Sequence, residues 1–141
     1  MSSLSINKQG DQNERTFHDA LTFQDRVVEK IAAVSARSVE GVLDLKGGFT
    51  AGITNKLGGD ELTNGVSVEV GEKQVAIDLT AILAFGYSAP LVFKQIAEAV
   101  KSDVHHITGL DVIEVNVQVD DVMTAQEFAQ QKASSQTREL Q

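Results

Sequence analysis

The sequence predicts an α+β fold in the form of a two-layer sandwich, with a mostly antiparallel sheet of about four strands and two main helices on one face. Three segments alternate apolar and polar residues, which is typical of strands with one buried face. Two other segments repeat apolar residues every three or four positions, which is typical of amphipathic helices. The order along the chain is helix, strands, helix, strand.

The first helix is predicted over residues 23–38. Its apolar positions recur at helical spacing, and they include Val28, Ile31, Ala32, Ser35 and Val39. Thr22 is predicted as the N-cap, and Asp25 carries a negative charge near the positive end of the helix. Gly41 ends this segment, and residues 42–45 are predicted as a short strand.

Residues 47–65 contain six glycines. A short helix is predicted over residues 51–57, between Thr50 as its cap and Gly58 as its end. The segment matches neither of the glycine patterns that bind nucleotide phosphates. It is therefore interpreted as a connector, and no cofactor is expected.

The next two strands are predicted over residues 66–70 and 75–85, joined by a tight turn at residues 71–73. A helix follows, with Ser88 as its cap, Pro90 in its first turn and Gly109 at its end. The last strand is predicted over residues 113–119. Because it returns after a helix, it is predicted to lie parallel to the preceding strand by a right-handed crossover.

Three regions are predicted along the chain. Residues 1–15 carry few apolar groups and are predicted to be disordered, and residues 16–122 are predicted to form a single α+β domain. Residues 123–141 are predicted as a short C-terminal helix and a frayed tail. That helix begins with a capping box of Thr124 and Glu127.

Composition restricts the classes of partner. The chain has 141 residues, a net charge of −8 and no cysteine, which argues against nucleic-acid binding, against adsorption to anionic lipid and against thiolate chemistry. The longest apolar run, over residues 75–85, is interrupted by Asp78 and Thr80, so it is interpreted as a strand and direct membrane insertion is not expected. The polar N-terminus is not a secretory signal, and a cytoplasmic location is expected.

Possible catalytic and metal-binding groups have simpler interpretations. Ser88 lies in the sequence GYSAP between a strand and a helix, but Pro90 replaces the second glycine of a nucleophile elbow, so a helix cap is preferred. His105 and His106 are adjacent and would point about 100° apart on a helix, which is poor geometry for one metal ion. No catalytic residue and no metal ligand are predicted.

One surface is a candidate site for binding a partner. If both helices cover one face of the sheet, seven residues lie on the other: Glu69, Asp78, Thr80, Ile82, Glu114, Asn116 and Gln118. Two interpretations remain open, a solvated face and a contact surface for a partner or another subunit. Because Ile82 is apolar, the substitution Ile82→Glu is expected to weaken assembly and to leave the fold intact.

Four stretches of the chain carry a family resemblance. They are VVEKIAAVSARSVEGVLDLKGG at residues 27–48, GVSVEVGEKQVAIDLTAILAFGYSAP at 65–90, HHITGL at 105–110, and DVIEVNVQVDDVMTAQEF at 111–128. In this order they resemble the alkaline-shock-protein family, also called the general-stress or envelope-stress-response family, which is typical of Gram-positive bacteria.

This resemblance implies a small cytoplasmic α+β protein without catalytic activity, whose expression responds to envelope or alkaline stress. It implies self-association and recruitment beneath the membrane by a separate, membrane-anchored protein. Some relatives are instead linked to control of fatty-acid synthesis. The expected function is therefore a scaffold at the cell envelope, and the alternative is a regulator that binds a fatty-acid-synthesis enzyme.

Overall fold

The computed structural model of the protein describes residues 19–46 and 61–140, with no side-chain description for residue 61 and residues 134–140. The predicted disordered segment 1–15 and the predicted helix 51–57 lie outside the described residues. The elements are α1 (Asp25–Arg37), β1 (Val42–Leu45), a 3-10 turn (Glu61–Thr63), β2 (Val66–Val70), β3 (Gln74–Ala84), α2 (Ala89–Thr108), β4 (Asp111–Met123) and α3 (Ala125–Leu140).

Strand β3 lies at the centre of the sheet. It pairs antiparallel with β2, where Val70 is opposite Val75, and antiparallel with β1, where Val42 is opposite Leu83. It pairs parallel with β4 along its whole length. Because β4 fills one edge of β3, β1 and β2 share the other edge end to end. The parallel pairing predicted for the last strand is confirmed, and the sheet is mostly antiparallel as expected.

The core lies on one face of this sheet. The odd-numbered residues of β3, from 75 to 83, share a cluster with apolar residues of both long helices. In α1 these are Val28, Ala32, Ala33 and Ala36, and in α2 they are Val92, Ile96, Val100 and Val104. Residues of one parity point to one side of a strand, so both helices pack against the same face, named here the inner face. The predicted α+β sandwich is confirmed.

Polar contacts fix the helices relative to one another and to β1. The hydroxyl of Ser35, which is almost fully buried on α1, donates a hydrogen bond of 2.5 Å to Oδ2 of Asp103 on α2. Arg37 donates from Nε to Oδ1 of Asp44 at 2.9 Å and from Nη1 to the carbonyl of Leu62 at 2.6 Å. One guanidinium therefore joins the end of α1 to β1 and to the 3-10 turn.

Strand β4 differs from its prediction because it contains two bulges. It spans Asp111–Met123 rather than residues 113–119, and its register with β3 shifts after Val112 and again after Val119. A bulge inserts an extra residue and reverses which side chains face inward. Val112 consequently packs on the core, and Ile113, which strict alternation would bury, is 59% exposed.

The helix ends follow the sequence with one exception. The backbone N–H of Leu91 donates to the Ser88 side chain, and Gly109 ends α2 with a left-handed φ of 81°. The capping box of α3 is confirmed, since Thr124 and Glu127 exchange side-chain to backbone hydrogen bonds. The expected cap of α1 is wrong: Gln24 occupies that position and makes no side-chain cap bond.

The substitution Ser88→Ala is expected to lower the free energy of unfolding by about 0.5–2 kcal/mol, because the N–H of Leu91 loses its cap. Urea denaturation followed by circular dichroism measures this change. The hydroxyl is otherwise expected to be dispensable. An unchanged free energy of unfolding, together with an esterase activity that Ser88→Ala abolishes, would contradict the capping role.

Candidate functional site: the outer face of the sheet

The face of the sheet opposite the core is named here the outer face. The register brings the predicted site residues together in rows across the strands: Glu69, Ala76 and Glu114 form one row, Asp78 and Asn116 the next, and Thr80 and Gln118 a third. In this part of the sheet the predicted residues are therefore neighbours. Neighbouring strands of a sheet lie about 4.7–4.9 Å apart, close enough for the side chains of one row to interact.

Asn116 organises the middle of this surface. Its Nδ2 donates 2.9 Å to Oδ1 of Asp78 across the strand pair and 2.8 Å to Oε2 of Glu114 on its own strand. Both carboxylates accept from the same neutral amide, so their positions are fixed while both negative charges remain. Each carboxylate keeps further lone pairs for a ligand. The arrangement therefore presents two ordered anions, which suit a lysine, an arginine or another hydrogen-bond donor.

Ile82 does not lie on the exposed part of this surface. Its side chain is only 3% exposed, and Met123, which the register places on the same face, is 4% exposed. Neither belongs to the core cluster on the inner face. Both side chains lie at the end of the outer face next to the start of α3 at Ala125, and α3 contacts β4. The expectation that Ile82 contacts water or a partner is therefore wrong.

The open part of the outer face is named here the acidic face, and it consists of Glu69, Asp78, Thr80, Glu114, Asn116 and Gln118. Its charge is strongly one-sided. The four strands contain seven carboxylates and no lysine or arginine; the carboxylates are Asp44, Glu69, Asp78, Asp111, Glu114, Asp120 and Asp121. Lys46, just after β1, has its Nζ 3.7 Å from Oδ1 of Asp120. Asp120 is not part of the acidic face, so this ion pair neutralises none of the carboxylates on that face.

The groups with possible catalytic or metal-binding chemistry lie elsewhere. His105 has its Nδ1 3.2 Å from Oδ1 of Asp111, at the end of the molecule where β4 begins, and both side chains are well exposed. In residues 19–46 and 61–140 no three acidic, histidine or cysteine side chains form a group able to bind a metal ion. No helix in that part of the chain is long and apolar enough to cross a membrane.

A second surface was missed by sequence reasoning. An apolar groove of about 260 Å³ lies between the first half of α2 and the inner side of β4. Its lining is Leu83, Ala89, Pro90, Val92, Phe93, Ile96, Val117 and Val119. Phe93 is 43% exposed and Val119 39% exposed. The sequence feature that could have indicated this groove is Phe93, an aromatic residue that lies beside the buried apolar stripe of α2 rather than in it.

Comparison with known proteins identifies the family. A model of the alkaline shock protein 23 family, described as having a cell envelope-related function, matches residues 13–124. The stress response regulator gls24 homolog of Streptococcus pyogenes serotype M1 is 41% identical over 119 residues, which cover 84% of this chain and 66% of the relative. The chain thus spans slightly less than two thirds of the length of that relative.

Two more distant similarities complete the comparison. The protein YqhY of Bacillus subtilis, described as uncharacterized, is 27% identical over 107 residues, which cover 76% of this chain and 79% of YqhY. Among solved structures, a MamM CTD aligns with a TM-score of 0.43 and 12% identity over 70% of this chain and 98% of that one, a likeness that carries no functional argument. From the match over residues 13–124, the chain belongs to the alkaline shock protein 23 family, which has a cell envelope-related function.

Proposed function

We propose that this chain is a non-enzymatic stress-response protein that acts as a cytoplasmic scaffold at the cell envelope, recruited there by a membrane-anchored protein. The observation that carries the proposal is the acidic face, on which Asn116 orders the carboxylates of Asp78 and Glu114. The family's cell envelope-related function and the stress-regulator name of the gls24 homologs support the same role.

The charge of the acidic face favours a protein partner over lipid. The cytoplasmic surface of a membrane carries anionic headgroups, which repel a cluster of carboxylates. Membrane proteins, by contrast, have an excess of lysine and arginine in the cytoplasmic segments that flank their membrane spans. A surface with ordered carboxylates and no basic residue in its strands is complementary to such a flank.

The position of the acidic face on the sheet also favours binding. Glu69, Asp78 and Glu114 lie on three adjacent strands of a packed domain, so little backbone ordering is required when a partner binds. Several copies of the chain on one anchored assembly would raise the overall affinity by avidity, without a stronger single contact. Self-association, which the family resemblance implies, would in this way strengthen recruitment to the envelope.

The double substitution Asp78→Lys/Glu114→Lys is expected to release the protein from the membrane fraction of cells. Charge reversal at the centre of the acidic face replaces attraction with repulsion, and we expect the membrane-bound share to fall about tenfold or more. The measurement is fractionation of cells followed by immunoblotting, with chemical cross-linking and mass spectrometry to identify the bound protein.

A matched control has the same change in net charge away from this surface. Glu72, in the turn between β2 and β3, and Glu98, on α2, are both exposed, and Glu72→Lys/Glu98→Lys is expected to keep its membrane association. Thermal unfolding of both double variants checks that they fold. Equal membrane shares for the two variants would contradict the proposal. Recovery of a fatty-acid-synthesis enzyme without any membrane protein would favour the metabolic alternative.

A further inference from the structure

Strand β4 has one edge without a partner strand in the described part of the chain. It pairs with β3 on one side, and no other described strand pairs with it. In such a pair about half of the backbone N–H and C=O groups point away from the neighbour, where they can bind another extended chain. Between its two bulges, residues 114–119 of β4 contain no proline or lysine, the residues that commonly protect an edge.

The two bulges confine regular pairing to one window of β4. Between the register shifts, residues 114–119 follow β3 without interruption. Bulges twist a strand and disrupt regular pairing, so an added segment is restricted to about six residues, or about 20 Å. This window also includes Glu114, Asn116 and Gln118 of the acidic face.

Different chemistry lies on the two sides of this window. On the inner side, Val117 and Val119 line the apolar groove together with Pro90 and Phe93 of α2. On the outer side, Glu114 and Asn116 alternate with those valines and connect to Asp78 by hydrogen bonds. An extended segment alongside β4 would direct successive side chains to opposite sides of the sheet. Apolar side chains would enter the groove, and basic side chains would meet the carboxylates.

We propose that a partner docks by adding an extended segment to the free edge of β4, with apolar residues that alternate with lysine or arginine. The inference rests on the proposed function and deepens it, because it names the chemistry and conformation of the segment that the acidic face binds. Backbone hydrogen bonds supply affinity in this mode of recognition, and the alternating side chains supply specificity.

The same charges argue against a second copy of this chain at the edge. A second β4 would bring its own Glu114, Asp120 and Asp121 next to the carboxylates already present. Like charges opposite each other across paired strands are destabilising. A basic segment removes this repulsion, so the structure favours a different polypeptide as the occupant.

A peptide of alternating lysine and valine, about nine residues long so that it spans the window, is the probe. Its binding to the full-length chain is measured by fluorescence anisotropy. Two control peptides are a scrambled sequence of the same composition and the alternating sequence with methylated backbone nitrogens at its central residues. We expect the alternating peptide to bind about tenfold or more tightly than either control, because only it combines pairing with the correct alternation.

A pair of variants and hydrogen exchange locate the binding. Glu114→Gln is expected to weaken binding of the alternating peptide several-fold, whereas Glu98→Gln, on the exposed surface of α2, is expected to leave it unchanged. Bound peptide is expected to slow amide hydrogen exchange in residues 114–119, because the backbone N–H groups that point to the free edge of β4 gain acceptors on the peptide. A different result would overturn the proposal: without peptide, residues 114–119 exchange slowly because the chain forms a dimer as its concentration rises. The occupant of the edge would then be a second copy of the chain.

The outcomes separate this inference from the proposed function. Equal affinities for the alternating, scrambled and methylated peptides would overturn strand addition, and the cellular release by Asp78→Lys/Glu114→Lys would still support an acidic contact surface. No measurable binding of any peptide would also overturn strand addition. Selective binding of the alternating peptide, combined with unchanged membrane association of that double variant, would support the edge site and overturn membrane recruitment through it.

Discussion

The substitution Ile82→Glu is expected to unfold the protein rather than to release a partner from a folded surface. Ile82 is 3% exposed at the end of the outer face where α3 contacts β4. Removing a buried isoleucine side chain to alanine costs about 2–5 kcal/mol, and a buried carboxylate without a partner adds to that cost. Because domains of this kind are stable by about 5–15 kcal/mol, the loss is a large fraction of the total.

Urea denaturation followed by circular dichroism measures the effect of Ile82→Glu. Two controls separate burial from the added charge. Ile82→Val is expected to cost about 0.5–1.5 kcal/mol, since it removes one methylene group. Gln118→Glu introduces the same carboxylate at an exposed position of the same face, where the expected change is within about 0.5 kcal/mol. A folded Ile82→Glu protein with wild-type stability and altered assembly would contradict this account.

Ile82 shows where sequence periodicity stops being sufficient. Alternation along β3 correctly placed Ile82 on the face opposite the core, with Asp78 and Thr80. Alternation did not indicate what lies above each residue. The capping box at Thr124 predicted where α3 begins, but the direction in which α3 runs depends on contacts distant in sequence. The burial of Ile82 and Met123 therefore required the structure.

The acidic face was partly predictable for a similar reason. Strand parity predicted that Asp78, Glu114 and Asn116 share one face, and the register confirms it. The hydrogen bond from Asn116 to Asp78 depends on the register between β3 and β4, which α2 separates in sequence. A tight hairpin fixes the register of its own strands, but a helical crossover does not. The bulge that exposes Ile113 has no clear signal in the sequence for the same reason.

The apolar groove depends on the position of β4 in the sheet. Sequence alternation predicted that Val117 and Val119 face the core. Because β4 lies at the edge, Val119 stays 39% exposed, and Phe93 on α2 stays 43% exposed beside it. The order of strands in a sheet follows from long-range packing rather than from local pattern. The groove, and the docking mode inferred from it, therefore became visible only in three dimensions.

The substitution Gly41→Ala is expected to destabilise the protein by about 2–5 kcal/mol, for two separable reasons. Gly41 has a φ of 101°, which residues with a Cβ rarely adopt, and the added Cβ would lie 2.9 Å from Cγ2 of Val92 and 3.0 Å from Cδ2 of Tyr87. The backbone conformation accounts for about 1–2 kcal/mol, and the overpacking against α2 and its connector for about 1–3 kcal/mol.

Gly86 provides the matched control, because its φ is 102° and an added Cβ would meet no atom within 4 Å. Gly86→Ala is therefore expected to show the backbone cost alone, about 1–2 kcal/mol by urea denaturation. Equal losses for the two variants would show that Val92 and Tyr87 move aside without cost.

A second measurement follows Tyr87, the single tyrosine of the chain, by ultraviolet absorbance during a pH titration.

The Tyr87 hydroxyl donates a hydrogen bond of 3.0 Å to Oε2 of Glu40, next to Gly41 in sequence. This hydrogen bond to Glu40, together with the negative charge of that carboxylate, raises the pKa of Tyr87 above its ordinary value. If the methyl group of Gly41→Ala displaces the ring, the contact with Glu40 weakens and the pKa of Tyr87 falls towards that ordinary value. In Gly86→Ala the ring has no new neighbour, so its pKa is expected to stay raised. The pKa of Tyr87 could instead stay raised in both variants while only Gly41→Ala loses much stability. The added methyl group would then be overpacked against Val92 rather than against Tyr87.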